Sequence, residues 1–113
     1  MKKNPKRLLP LKPQWFHVLL ALGAGEAHGF GIRERVEERT GGKLKLWPAT
    51  LYGTIRQLTE HELIEALEGE DDPDEDGRRR YYRLTAFGRR VLRAEADRLE
   101  GLVRDARAVG AGT

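Results

Sequence analysis

From Gln14 to Leu22 nearly every position is apolar, and Pro13 before them suits the first position of a helix, where its missing N–H is no loss. Phe16, Leu19, Leu20 and Gly23 fall on one side of that helix, and Trp15, Val18 and Leu22 on another. A short helix that is apolar nearly all round is buried between two layers. The second layer is either the rest of the same domain or another subunit. Residues 23–29 (GAGEAHG) read as a turn. A second helix follows over about 30–40, with Ile32 and Val36 inward and Arg33, Glu34, Glu37, Glu38 and Arg39 outward, ended by Gly41-Gly42. Residues 43–46 (KLKL) alternate as a short strand or an extended linker does.

Pro48 opens a third helix over about 48–61. Leu46 then stands at N′ and Leu51 at N4, the pairing of a hydrophobic staple. Leu51, Ile55 and Leu58 form one narrow inward stripe. Residues 63–68 and 79–84 read as the two strands of a hairpin, with Tyr82 and Leu84 toward the core and Tyr81 and Arg83 away from it. Thr85 is a good N-cap for a last helix running to about Arg107. Along that helix Leu92, Ala96, Leu99, Val103 and Ala106 are spaced 4-3-4-3, an a/d seam widened by Val91 and Leu102. Such a seam on a long helix needs a cover, and a two-fold axis supplies one most simply. The order of elements predicts a mainly α fold with a small β-hairpin: a winged helix-turn-helix over 13–84 and a C-terminal dimerisation helix over 85–108. A flexible arm (1–12) precedes them and a disordered tail (109–113) follows.

The charge distribution sharpens this picture. The 113 residues carry 21 Lys+Arg and 18 Asp+Glu, a net charge of +3. Six of those acids lie in residues 70–76 (EDDPDED), leaving 21 bases against 12 acids, or +9, over the rest. A basic body with one acidic tuft suits an anionic partner. The absence of cysteine excludes disulfides, thiolate metal sites and cysteine nucleophiles, and fits a reducing cytoplasm. No apolar run approaches the roughly 20 residues that span a bilayer. Pro10, Lys12, Pro13 and His17 break any signal-type segment after the basic start. His17, His28 and His61 lack metal-ligand spacing, and no glycine-rich phosphate loop follows a strand, so catalysis is not expected. Asp72, Asp74, Asp76 and Gly77 match the first half of a calcium loop, but Arg83 stands where its bidentate Glu belongs. No cofactor or metal is expected.

The candidate chemistry lies on the outward arc of the third helix, which contains Ala49, Thr50, Tyr52, Gly53, Arg56, Gln57 and Glu60. An ordinary solvated face would be richer in Glu and Lys. This one is small, hydroxylic, amide and guanidinium, the groups that approach a duplex and hydrogen-bond phosphates and base edges. Arg56 is the candidate for a guanine and Gln57 for an adenine. Lys45, the helix start at Trp47 and Ala49, and the hairpin-base residues Arg78, Arg79 and Arg80 would hold phosphates. Repulsion between phosphates and the acidic tip argues against its deep insertion into a groove, so the tip is expected to point away or stay mobile.

His28-Gly29-Phe30-Gly31-Ile32, Pro48-Ala49-Thr50-Leu51-Tyr52, Glu62-Leu63-Ile64, and 78–85 (RRRYYRLT) with Gly88 and Leu92, in this order and spacing, resemble the PadR family of bacterial transcriptional regulators. The resemblance runs from about Leu8 to Ala108. It implies a dimeric winged-helix protein, usually a repressor, bound to a pseudo-palindromic operator through the segment Thr50-Leu51-Tyr52. The family's dimer interface uses the first and last helices, here Trp15, Val18 and Leu22 with Leu92, Ala96, Leu99, Val103 and Ala106. The family also admits small aromatic effectors near that interface, where Trp15, Phe16 and Leu99 would line a site. Glu62 departs from the pattern, which has Gly where the third helix ends; a left-handed backbone there would cost roughly 1 kcal/mol. The alternative reading is a winged-helix adaptor that binds protein, with the acidic tip as its interaction element.

Overall fold

A computed structural model describes residues 3–67 and 80–110. A single 3-10 turn, Pro5–Leu8, precedes α1 (Pro13–Gly23), β1 (Ala27–His28), α2 (Gly29–Arg39), α3 (Pro48–Glu60), β2 (Ile64–Ala66), β3 (Tyr81–Leu84) and α4 (Ala86–Ala108). The sheet is antiparallel, in the order β1-β3-β2. Ile64 pairs with Leu84 and Ala66 with Tyr82, while Ala27 and His28 pair with Tyr82 and Tyr81 on the other edge of β3. Leu84 is buried and Tyr82 half-buried, with Tyr81 and Arg83 exposed, as the alternation predicts. The two-residue β1 has no period to read; it is a strand only because β3 offers it a free edge. Val18, Leu19, Leu22, Ile32, Val36, Leu46, Leu58, Leu63, Ile64 and Val91 are fully buried and make one core. None of the described helices is long and apolar enough to cross a membrane.

Two expectations need correction. Residues 3–12 do not form a free arm. Asn4 caps the 3-10 turn by accepting from the Lys6 N–H at 3.0 Å, the turn packs on α4, and Leu11 is buried. The Leu11 N–H donates to the Glu95 carboxylate at 2.8 Å, across 84 residues of sequence. The second correction concerns Trp15, Val18 and Leu22, which belong to the core of the single chain at 7%, 0% and 1% exposure. They are therefore not available to a partner. Of the α4 seam, Ala96, Val103 and Ala106 are exposed, and Leu92 and Leu99 half-buried.

Glu95 is buried on α4, and Arg98 grips it with Nε and with a terminal nitrogen at 3.1 Å. The Arg98 hydrogen bonds hold its carboxyl below the ordinary value of 4.5, with the Leu11 N–H helping and burial opposing. A carboxylate lowered in the folded state adds stability that is complete above its unfolded value and lost as pH falls through the folded one. The urea midpoint of the wild type should therefore fall toward that of Glu95→Gln between about pH 5 and pH 3. A constant gap between the two proteins over that range would contradict the assignment.

α2 and α3 end in the same way. After α2, the Gly42 N–H donates to the Glu37 carbonyl at 2.7 Å and Gly41 to Glu38 at 3.2 Å, with Gly41 at φ 64°. After α3, the Leu63 N–H donates to Leu58 at 2.9 Å and Glu62 to Thr59 at 3.0 Å, with Glu62 at φ 62°. Both are Schellman ends, and the second places a glutamate where α2 uses glycine. The departure at Glu62 thus leaves the helix end unchanged and strains its backbone. Replacing Glu62 by Gly should stabilise the fold by a few tenths of a kcal/mol, the strain relieved exceeding the added unfolded-state freedom and the loss of an exposed pair with Lys3. Chemical denaturation measures this; an unchanged or lower midpoint would contradict it.

The Glu62 turn also sets the start of α4. Thr85 caps α4 by accepting from the Gly88 N–H at 2.8 Å, and its own hydroxyl donates to the Glu62 carbonyl at 2.6 Å. The Leu63 carbonyl accepts from the Thr85 N–H at 3.1 Å and lies directly against Gly88.

Candidate nucleic-acid interface

α3 is held from behind. Leu46 and Leu51, the staple pair, are both buried, as are Thr54, Ile55 and Leu58. The opposite arc is open: Ala49, Thr50, Tyr52, Arg56, Gln57 and Glu60 are exposed. Gly53, half-buried in mid-helix, has nothing within 4 Å of where a Cβ would stand. The chain's own packing therefore does not require glycine there, although Ala would favour the helix by about 1 kcal/mol. Arg56 makes no hydrogen bond or ion pair among the described residues.

Tyr52 leans from α3 toward the start of α2. Its hydroxyl lies 2.8 Å from where a Cβ on Gly29 would be, so that glycine makes room for the ring. His28 caps α2 by accepting from the Gly31 N–H at 3.0 Å, and its ring meets Tyr81 edge-on at 5.2 Å. Burial pushes the Tyr82 hydroxyl above its ordinary value of 10.0, while Arg80 opposes that shift and Tyr52 adds to it. The Tyr82 hydroxyl thus lies within electrostatic reach of Arg80 and of Tyr52 on α3. Arg78 and Arg79, and the acidic tip 70–76, lie outside the described residues. Lys45 is exposed just ahead of the α3 start.

Gln57 also has a partner inside the fold. Its amide oxygen accepts from the Trp15 indole N–H at 3.0 Å. Indole is a donor only, so the amide orientation is enforced by chemistry. An amide oxygen has two lone pairs, so Gln57 ties α3 to α1 and still keeps one acceptor site and its N–H groups on the exposed arc. The same contacts remove Trp15 from an effector site: its ring carries His61 at 5.2 Å and Lys12 at 5.8 Å. Phe16 and Leu99 are half-buried. A cleft of about 690 Å³ at the C-terminal end of α3 is lined by Lys3, Arg7, His61 and Phe87, and by none of the three residues expected to bind an effector. Among the described residues no group of three or more His, Asp or Glu is placed to hold a metal.

One surface feature escaped the sequence pattern. Trp47, at the N-cap of α3, is 62% exposed and carries the Arg33 guanidinium of α2 over its ring at 5.5 Å. Arg33 reads as an ordinary outward charge in its own helix; only the crossing of α2 and α3 brings the two together.

Comparison with known proteins places this geometry. An uncharacterized protein of Lysinibacillus sphaericus is 34% identical over 67 residues, 59% of this chain and 60% of that protein. The chain spans 24% to 60% of the length of the curated relatives it matches. Among solved structures, a PadR-like transcription factor from Bacteroides fragilis superposes with a TM-score of 0.72 at 21% identity, covering 86% of this chain and 89% of that one. Bacillus subtilis PadR in complex with operator DNA superposes with a TM-score of 0.63 at 20% identity, covering 74% of this chain and 46% of that one. These likenesses establish the winged-helix fold. The model of the PadR-like transcriptional regulator family matches residues 18–94, from the middle of α1 to the first turns of α4. The chain accordingly belongs to the PadR-like family of transcriptional regulators.

Proposed function

We propose that the protein is a homodimeric repressor that binds a pseudo-palindromic DNA operator. The observation that carries this reading is the outward arc of α3: exposed, small at Ala49 and Gly53, and holding at Arg56 a guanidinium without a hydrogen bond or ion pair among the described residues. In the complex α3 enters the major groove with Ala49, Thr50, Tyr52 and Gly53 close to the duplex and Arg56 on a guanine. Lys45, Arg78, Arg79 and Arg80 neutralise phosphates and set the register. The structural likeness to a PadR bound to its operator supports this arrangement.

The dimer forms through the α4 seam of Leu92, Ala96, Leu99, Val103 and Ala106, extended by Leu102. Leu102 and Val103 are each 51% exposed in the single chain, an apolar stripe that a second copy covers. A two-fold axis then places two α3 helices about 34 Å apart, one duplex turn, which calls for an inverted repeat.

Fluorescence anisotropy against duplex DNA from upstream of the protein's own gene, with a scrambled duplex as control, tests this between about 50 and 200 mM salt. The expected result is nanomolar binding that prefers the upstream duplex and weakens steeply with salt, with about six to ten ions released per dimer. Equal, weak binding with flat salt dependence would overturn it and favour the protein-binding adaptor.

A further inference from the structure

The head of α3 carries a residue that folding alone does not explain. Its N-cap, Trp47, makes no side-chain hydrogen bond to the helix. Ser, Thr, Asp or Asn in that place would add about 1 kcal/mol by accepting one of the first amide N–H groups. Burial does not compensate, because the indole is 62% exposed while Leu46 and Leu51 close the core beneath it. What the indole does hold is Arg33, whose guanidinium carbon stands 5.5 Å from the ring centroid. On its other side the Arg33 Nε faces the Glu37 carboxylate at 3.4 Å, one helical turn on.

An arginine fixed between a carboxylate and an aromatic face has lost most of its rotamer freedom in advance. The ring meets the guanidinium as a cation and Glu37 faces Nε, so both terminal nitrogens keep their N–H groups free of partners among the described residues. The pair also stands in a telling place. Gly29, four residues before Arg33 on α2, is where Tyr52 of α3 comes to rest. Arg33 and Trp47 therefore flank the Tyr52 side of the α3 arc, and the helix before a recognition helix crosses the nucleic-acid backbone.

We infer that Arg33 and Trp47 form a backbone clamp for duplex DNA at the edge of the α3 reading face. The terminal nitrogens of Arg33 donate to a phosphate oxygen, and the exposed indole lies against the adjoining deoxyribose. Glu37 and Trp47 are positioning groups for the guanidinium. This inference rests on the DNA-binding reading above and adds a contact that reads no base.

The test uses the full chain with Arg33→Ala, Trp47→Ala, their double variant and Trp47→Phe, measured by anisotropy on the upstream and scrambled duplexes across about 50–200 mM salt. Arg33→Ala should weaken both duplexes by the same factor, roughly tenfold, and lower the salt slope by about one per protomer. Trp47→Ala should lose about as much, and the double variant little more, because the two side chains act as a unit. Trp47→Phe should retain most of the affinity while abolishing the DNA-induced change in tryptophan emission, since Trp15 is enclosed. Thermal unfolding shows that each variant is folded. An unchanged affinity and slope in Arg33→Ala, losses that simply add, or a changed base preference would each overturn the clamp. If the wild type prefers the upstream duplex and any of these occurs, the clamp alone fails; if the wild type binds neither duplex, the DNA-binding reading fails with it.

Discussion

Arg56→Ala should abolish discrimination at one base pair in each operator half-site, weakening operator binding by about 1–3 kcal/mol per half-site. The effect on a scrambled duplex should be much smaller. The argument is local. Arg56 is exposed and makes no hydrogen bond or ion pair among the described residues, so none of those has to be broken to recruit its guanidinium. Ala49 and Gly53, small residues on the same arc, let the helix axis approach the groove floor. The five fixed donors of a guanidinium match the two acceptors that guanine presents there, and an ammonium does not. Arg56→Lys should therefore keep most of the non-specific affinity and lose the discrimination. Equal losses on operator and scrambled duplex for Arg56→Ala would reassign the residue to a phosphate.

Gly88→Ala should be the most damaging small substitution in the fold. A Cβ at Gly88 would lie 1.9 Å from the Leu63 carbonyl oxygen and 2.9 Å from its carbon. Neither is the end of a flexible side chain. That carbonyl accepts the Thr85 N–H, and Leu63 is fully buried while its own N–H closes the α3 end. Relief requires the first turn of α4 to move away from β2, breaking the Thr85 bonds. The expected cost is about 3 kcal/mol or more, which in a domain of this size lowers Tm by roughly 15 °C. The sign is diagnostic, because Ala in an unobstructed helix would raise stability by about 1 kcal/mol. Gly53→Ala is the counterpart. With nothing within 4 Å, it should stabilise the chain by about 1 kcal/mol. It should also weaken DNA binding, since the methyl group holds α3 off the groove. Circular dichroism melts and anisotropy measure both effects, and a destabilised Gly53→Ala would contradict this account of the open arc.

How much of the site was legible follows from what each feature depends on. The α3 arc could be read from spacing because Leu51, Ile55 and Leu58 mark one face, and what remains faces outward. Thr54, which belongs to neither set by that spacing, is buried as well. The tie between Gln57 and Trp15 was not legible because the two lie 42 residues apart and the apolar face of α1 says nothing about a hydrogen bond. Arg33 was missed for the same reason. Trp15, Val18 and Leu22 look like an interface in sequence, since periodicity cannot tell whether an apolar face meets its own domain or a second chain.

The sequence by itself determined the elements and their ends: Pro13 and Pro48 at first helical positions, Thr85 as a cap, Gly41 at the end of α2, and the alternation that turns Leu84 inward. Each of these is set by residues within a turn or two, where propensity and periodicity act. The tertiary structure alone decided the docking of residues 3–12 through Leu11 and Glu95, the pairing of β1 with β3, and the left-handed turn kept at Glu62. It also decided the meeting of Gly88 with the Leu63 carbonyl. These depend on which surfaces meet once the core has closed, and the free energy of that closure outweighs a strained glutamate or an uncapped helix start without leaving a local trace of having done so.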